Sequence, residues 1–118
     1  MEYIDGFVLA VPTANRQAFI DHARMADEVF LEQGAHRIVE CWQDDVPTGQ
    51  QTDFFRTVKA EAGEGIVFAF MEWPSREICD AAAAKMQADE RMKMPPDLPF
   101  VGQRMVYGGF TPVVELGA

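Results

Sequence analysis

Ile66-Val67-Phe68-Ala69-Phe70-Met71-Glu72-Trp73 is the stretch on which the fold turns. β-branched and aromatic residues dominate it, which suits a pleated, half-buried surface. Successive strand side chains point to opposite faces. Ile66, Phe68 and Phe70 therefore share one side, and Val67, Ala69, Met71 and Trp73 the other. Both sides are apolar, so this strand needs cover on two faces. Ala62-Gly63-Glu64-Gly65 supplies a tight turn before it, and Pro74 stops it because proline cannot continue a ladder.

Outward from this strand the elements alternate. After Pro74, Ser75 is a good N-cap, with Glu77 and Asp80 suiting the helix dipole. Ile78, Ala82 and Met86 line one face of the helix that follows, with Cys79 and Ala83 beside it. It fades near Met92 to Met94, before Pro95-Pro96. Upstream, the spacing predicts strands over Tyr3–Val11, His36–Gln43 and Phe54–Glu61. Asp44–Gln51 is a loop by its Asp, Pro and Gly content. Phe19, Ala23, Ala26 and Phe30 form one stripe of an amphipathic helix over Ala14–Gln33, with Thr13 or Asn15 to cap it and Gly34 to close it. Arg104–Phe110 is the last strand. Removing the extra strand at 54–61 leaves βαββαβ, the ferredoxin-like split βαβ pattern of an α+β protein. Right-handed crossovers put both helices on one face of an antiparallel sheet.

Two helices cover one face, and the other is too apolar for water. A flank carrying Tyr3, Phe7, Leu9, Phe68 and Phe70 exceeds the few hundred Å² that a monomer usually exposes. The simplest cover is a second copy about a two-fold axis, giving a homodimer with a barrel-like core between two sheets.

Composition narrows the function classes. The 118 residues make one domain, 1–118. Surface scaling leaves roughly 6,400 Å² exposed on a folded chain of this mass. Ten Lys and Arg against nineteen Asp and Glu give a net charge of −9, which disfavours nucleic acid and anionic membrane as partners. No basic n-region and no long apolar run mark a secretory signal or a membrane span, so a cytoplasmic location is expected. Cys41 and Cys79 are too few for a disulfide scaffold and lack zinc spacing; both are expected as packed, reduced thiols.

With the segments in place, the chain resembles the YbaA-like family of bacterial proteins. The resemblance is carried by YIDGFVLAVP (3–12), GAHRIVECW (34–42), DVPTG (45–49), VKAE (58–61), KMQADERMK (85–93) and RMVYGGF (104–110). It implies the dimeric α+β barrel superfamily, which includes cofactor-independent monooxygenases, dye-decolourising peroxidases, muconolactone isomerase and haem-degrading enzymes. It carries no agreed reaction, so no catalytic residue transfers with it.

If the Asp5-bearing face lines the interior, Asp5, His36, Glu40, Glu72 and Arg104 approach one cavity among aromatics. Crowded or desolvated carboxylates gain higher pKa values and become acids or bases. Asp5, Glu40 and Glu72 are therefore the candidate catalytic groups. Tyr3, Phe7, His36, Trp42, Phe68, Phe70 and Arg104 are the candidate ligand-lining residues. The plainer alternative makes the charged members paired ions at strand ends or on a dimer rim. Cys41 is expected to pack under a helix, and His22 to face solvent. Arg56 and Lys59 are expected to guard a strand edge, and Asp89, Glu90, Arg91 and Lys93 to form a solvated helix end. Close backbone packing is expected at Gly108-Gly109. No metal site and no cofactor are assigned. Three functions stand: a barrel binding a small apolar or aromatic molecule between its sheets, a cofactor-independent oxygenase or isomerase with a carboxylate base, and a filled structural module.

Overall fold

The computed structural model describes residues 2–93 and 98–117. The chain runs β1 (Tyr3–Pro12), α1 (Arg16–Glu32), β2 (Arg37–Trp42), α2 (Phe54–Thr57), β3 (Glu64–Trp73), α3 (Arg76–Ala88) and β4 (Val106–Phe110), with short 3-10 turns at 13–15, 90–92 and 102–104. The four strands form one antiparallel sheet in the order β2-β3-β1-β4. This is the ferredoxin-like α+β arrangement. The sheet is open rather than closed into a barrel within the chain.

The central pair decides which residues share a face. Tyr3 lies opposite Trp73, Asp5 opposite Met71, Phe7 opposite Ala69 and Leu9 opposite Val67. That set faces the helices. Leu9, Val11, Val67 and Ala69 pack with Phe19 and Ala23 of α1. Met71 and Trp73 pack with Ala35 and with Cys79 and Ala82 of α3. The opposite face carries Ile4, Gly6 and Val8 beside Glu72, Phe70 and Phe68. Phe110, Gly108 and Val106 join it from β4, and Val39 and Cys41 from β2. The mixed flank expected from the sequence is thus corrected. Tyr3, Phe7 and Leu9 lie under the helices, and only Phe68 and Phe70 of that group lie on the open face. Alternation fixes which residues go together within a strand, but only the register between strands joins the sets.

The expected strand at 54–61 is not a strand. Asp53 caps α2 by accepting from the Arg56 amide at 2.8 Å. Phe54, Phe55 and Val58 then follow helical spacing. Lys59 closes the turn in the left-handed region at φ 52. Val58 packs on Ala10 and Ile66, with Phe55 and Ala60 alongside. The segment therefore roofs one end of the second sheet face instead of extending the sheet.

Smaller differences have local causes. The last strand starts at Val106, because Gln103 and Arg104 belong to a 3-10 turn. Ser75 caps α3 as expected, accepting from the Ile78 amide at 3.2 Å. The buried stripe of α3 is Cys79, Ala82 and Met86, rotated so that Ile78 is partly exposed. Neither Thr13 nor Asn15 caps α1 with its side chain; they donate to the Gly63 and Pro99 carbonyls. Gly34 ends α1 at φ 115, donating to the Leu31 carbonyl, a backbone geometry that suits glycine. At Gly109 a Cβ would overlap the Tyr3 ring, so the close packing expected of the glycine pair is present there. Helix α3 ends at Ala88, earlier than the expected fade near Met92 to Met94, because Asp89 turns extended and caps a 3-10 turn at 90–92; Met94 and the Pro95-Pro96 stop lie outside the described residues. No helix among those described is long and apolar enough to cross a membrane.

Candidate functional site

Helix α1 does not press its whole length onto the sheet. Between α1, the sheet and the segment 98–105 lies a cavity of about 550 Å³. Its walls include Leu9, Phe19, Phe30, Met71 and Phe100. Phe100 meets Phe19 edge-on at 5.9 Å and His22 at 5.8 Å, and so closes one side. Burial lowers the His22 pKa, which keeps its imidazole neutral at neutral pH. His22 is thus half-buried against an aromatic ring, not solvated as expected. The segment is tied at one end by the Asn15 side chain donating to the Pro99 carbonyl at 3.1 Å. At the other end the Arg104 guanidinium makes two bonds to Glu64, each 2.7 Å, and one to the Lys59 carbonyl at 2.9 Å.

Two carboxyl groups stand in the wall of this cavity: Asp27 from α1 and Glu40 from β2. Both also line a groove of about 500 Å³ on the outer side of α1, beside Arg16, Arg24 and Trp42. The pair therefore stands between two hollows that both open to solvent, the apolar one and the groove beside Arg16 and Arg24. Glu40 keeps an exposed edge toward the outer groove, and the solvent it does lose beside α1, together with the adjoining Asp27 charge, raises its pKa, to about 8. Partial burial also raises Asp27, against a hydrogen bond from Glu40 that lowers it. Glu40 is accordingly the member that keeps a proton at neutral pH, and Asp27 the acceptor. Among the described residues neither makes an ion pair with Lys or Arg.

This arrangement has a consequence for stability. A carboxyl whose folded pKa stands at about 8 against an ordinary 4.5 holds a proton that the unfolded chain has released. Stability therefore falls as pH rises between those values. Glu40→Gln removes the titration but keeps a hydrogen-bond donor. The variant is expected to melt higher than the parent near pH 8 and to converge with it below pH 4.5. Thermal melts that stay parallel across that range, or that separate toward low pH instead of high, would refute the shared-proton picture.

The other sequence-derived candidates scatter. Asp5 lies under the helices, where its Oδ2 accepts from Trp73 Nε1 at 3.2 Å and from Cys79 Sγ at 3.1 Å. Burial, then the hydrogen bond to Asp5, pushes the Cys79 thiol up to about 12, so it is an inert, packed group. Glu72 lies on the open face, 3.8 Å from Arg37. Arg37 stacks over Phe70 at 5.7 Å. Arg104 is spent on Glu64. His36 is exposed at the start of β2 and lines none of the cavities described. Asp5, His36, Glu40, Glu72 and Arg104 therefore do not converge, because the sheet itself separates Glu72 from Asp5 and Glu40. Phe7 lines the inner cavity and Trp42 the outer groove, under Arg16 at 5.5 Å. Tyr3 packs near Trp73 instead. Phe68 and Phe70 line a shallow concavity of about 600 Å³ on the open face, with Ile4, Val106 and Phe110. Cys41 is exposed on that same face beside Phe68 rather than packed under a helix. Arg56 pairs with its helix cap Asp53 at 3.5 Å, not along a strand edge. Arg91 bridges Asp89 at 2.9 Å and Glu32 of α1 at 2.7 Å, so the expected helix-end cluster ties the chain back to α1.

Asp27 was not among the sequence-derived candidates. Its signal was faint but present: it follows Ala23 and Ala26 closely enough to sit at the border of the buried stripe.

Comparison with known proteins agrees with the fold. A family model described as "Protein of unknown function (DUF1428)" matches residues 2–102. The chain is 50% identical over 116 residues to the uncharacterized protein YbaA of Escherichia coli K12, covering 98% of this chain and 99% of the relative. The same identity and coverage hold for the uncharacterized protein YbaA of Shigella flexneri. Among solved structures, Rv0793 from Mycobacterium tuberculosis superposes with a TM-score of 0.53 at 12% identity, over 99% of this chain and 100% of that one. At that identity the likeness is one of fold alone.

Proposed function

The chain belongs to the DUF1428 family, proteins of unknown function, and on that premise we propose that it is a homodimeric binding protein for a small, largely apolar molecule. The observation that carries this reading is the cavity of about 550 Å³ between α1 and the sheet. It is mostly apolar, with a few convergent polar groups, as small-molecule sites generally are. The hollow opens to solvent, and apolar surface left open on this scale points to an occupant. This favours a binding role over a filled structural module. It also moves the ligand from between two sheets to a place within each subunit.

The dimer is supported by the face that α2 leaves bare. Phe68 is 46% exposed and Phe110 61%. Val113, Val114 and Leu116 of the tail after β4 are exposed as well. The chain's accessible surface is 8001 Å², against roughly 6,400 Å² for a self-contained chain of this mass. A second copy laid on this face buries these side chains symmetrically.

An acid–base enzyme is the second reading, and the paired carboxyls favour it. Of the three candidate bases, Glu40 is the one that stands at the cavity wall; Asp5 and Glu72 are held by structural partners. Reach to a ligand atom is what would convert binding into catalysis.

The test is a thermal-shift series with neutral aromatic compounds such as 4-phenylbutanol, on the parent and on Ala23→Phe, which fills the cavity from α1. A saturating ligand is expected to raise the parent Tm by about 5 °C or more. The filled variant, folded by circular dichroism, is expected to show no shift. Absence of any shift in the parent across the series, or an equal shift in both proteins, overturns the cavity reading.

A further inference from the structure

The geometry points to an organic cation as the ligand class: we infer that the cavity takes a molecule with an apolar or aromatic body and a protonated amine, with Asp27 and Glu40 receiving the ammonium. This rests on the cavity reading above and names its specificity.

Two carboxyl groups from different elements meet at the rim of an apolar cavity, and no Lys or Arg among the described residues pairs with either. Such a pair is relieved either by a proton held between the two groups or by a cation brought from outside. Among the described residues no group of three or more metal-ligating side chains is present, so two carboxyls stand without the further oxygens that a hard metal ion takes. An ammonium ion carries three donors and needs only a few acceptors. The rest of the site suits the body of such a molecule. Phe19, Phe30 and Phe100 face the cavity, and aromatic faces attract cations as well as apolar groups. The net charge of −9 concentrates cations near the protein before they bind.

Among the described residues the charged groups around the pair are few. From α1, His22 lines the inner cavity, and Arg16, Arg24 and Glu28 line the outer groove. From β2 the outer groove also has Cys41. From β3 and the segment 98–105 only uncharged side chains face the cavity. Arg16 is stacked on Trp42. His22 is neutral, so it neither repels an incoming ammonium nor titrates against it above pH 7.

Displacing the shared proton by an ammonium makes binding depend on pH. The amine stays protonated to about pH 10, while the carboxyl pair loses its remaining proton near pH 8. Affinity for the amine is therefore expected to rise from pH 6 to pH 8, and affinity for a neutral analogue to stay flat.

The experiment is calorimetric titration of 4-phenylbutylamine and 4-phenylbutanol into the full chain at pH 6 and pH 8. For the parent at pH 8 the amine is expected to bind at least about tenfold more tightly than the alcohol, and to lose about tenfold or more at pH 6. Glu40→Gln and Asp27→Asn are each expected to abolish the preference while leaving alcohol binding unchanged. Equal binding of amine and alcohol at both pH values overturns this inference and leaves the cavity reading standing. An amine preference that persists in both variants places the cation elsewhere and overturns it too. Binding of neither compound overturns the inference together with the cavity reading.

Discussion

Phe68→Glu is expected to convert the proposed dimer into a monomer. In light scattering at micromolar concentration the parent is expected at about twice 13.2 kDa and the variant at 13.2 kDa. The reason is geometric. Phe68 lies near the middle of β3 on the bare face, opposite Val8 on one side and Cys41 on the other. Phe54 meets it edge-on at 6.4 Å, but nothing roofs it. A carboxylate there would be buried against its symmetry mate, and burying an unpaired charge costs far more than an interface of this kind can offset. In the free subunit the same carboxylate is solvated, so the fold survives. Val67→Ala is the contrast. Val67 is its neighbour in sequence but fully buried on the helix side. Its truncation is expected to lower stability and leave the mass unchanged. A parent that is monomeric, or a Phe68→Glu variant that remains dimeric, removes the open face as the interface.

Trp73→Ala is expected to cost about 3–5 kcal/mol of folding stability, the largest loss from any single truncation here. Trp73 is 1% exposed and closes the end of β3 against α1 and α3. Phe30 packs edge-on to it at 6.2 Å. Its Nε1 also gives Asp5 one of its two hydrogen bonds. Truncation therefore opens a void and strips a donor from the half-buried Asp5 carboxyl. Chemical denaturation measures the loss directly. Trp73→Phe, which keeps most of the volume but not the donor, is expected to fall between the two. A loss below about 1 kcal/mol for Trp73→Ala would mean that the site collapses without penalty and that the Asp5 bond contributes nothing.

Asp5 shows how far residue identity leads. An acid within an apolar strand is visible in the sequence as an anomaly, and a catalytic role was one reasonable expectation. Its partners, an indole and a thiol, come from residues far along the chain and are brought together only by the β1–β3 register and by α3. The same holds for Glu40. It was legible as a carboxyl on a strand among apolar residues, whereas Asp27 looked like one more charge on a helix surface. Their meeting depends on the rotation of α1 over the edge strand, which no local pattern specifies. Arg104 went the other way. It looked like a cavity residue on a strand, but a 3-10 turn carries it to Glu64 and makes it a clasp.

The local code settled the rest at the level where it acts. Alternation in Tyr3–Val11 and Ile66–Trp73, the stripe Phe19, Ala23 and Ala26, and the Ser75 cap with Pro74 before it determined strands, helices and their order. That order with right-handed crossovers determined a ferredoxin-like sheet with both helices on one side. These outcomes follow from backbone sterics and side-chain periodicity, which neighbours in sequence control. Which strand face met which, whether 54–61 extended the sheet or roofed it, and which two acids faced each other were decided only in three dimensions. Each depends on contacts between residues distant along the chain, and such contacts exist only once the sheet has chosen its register.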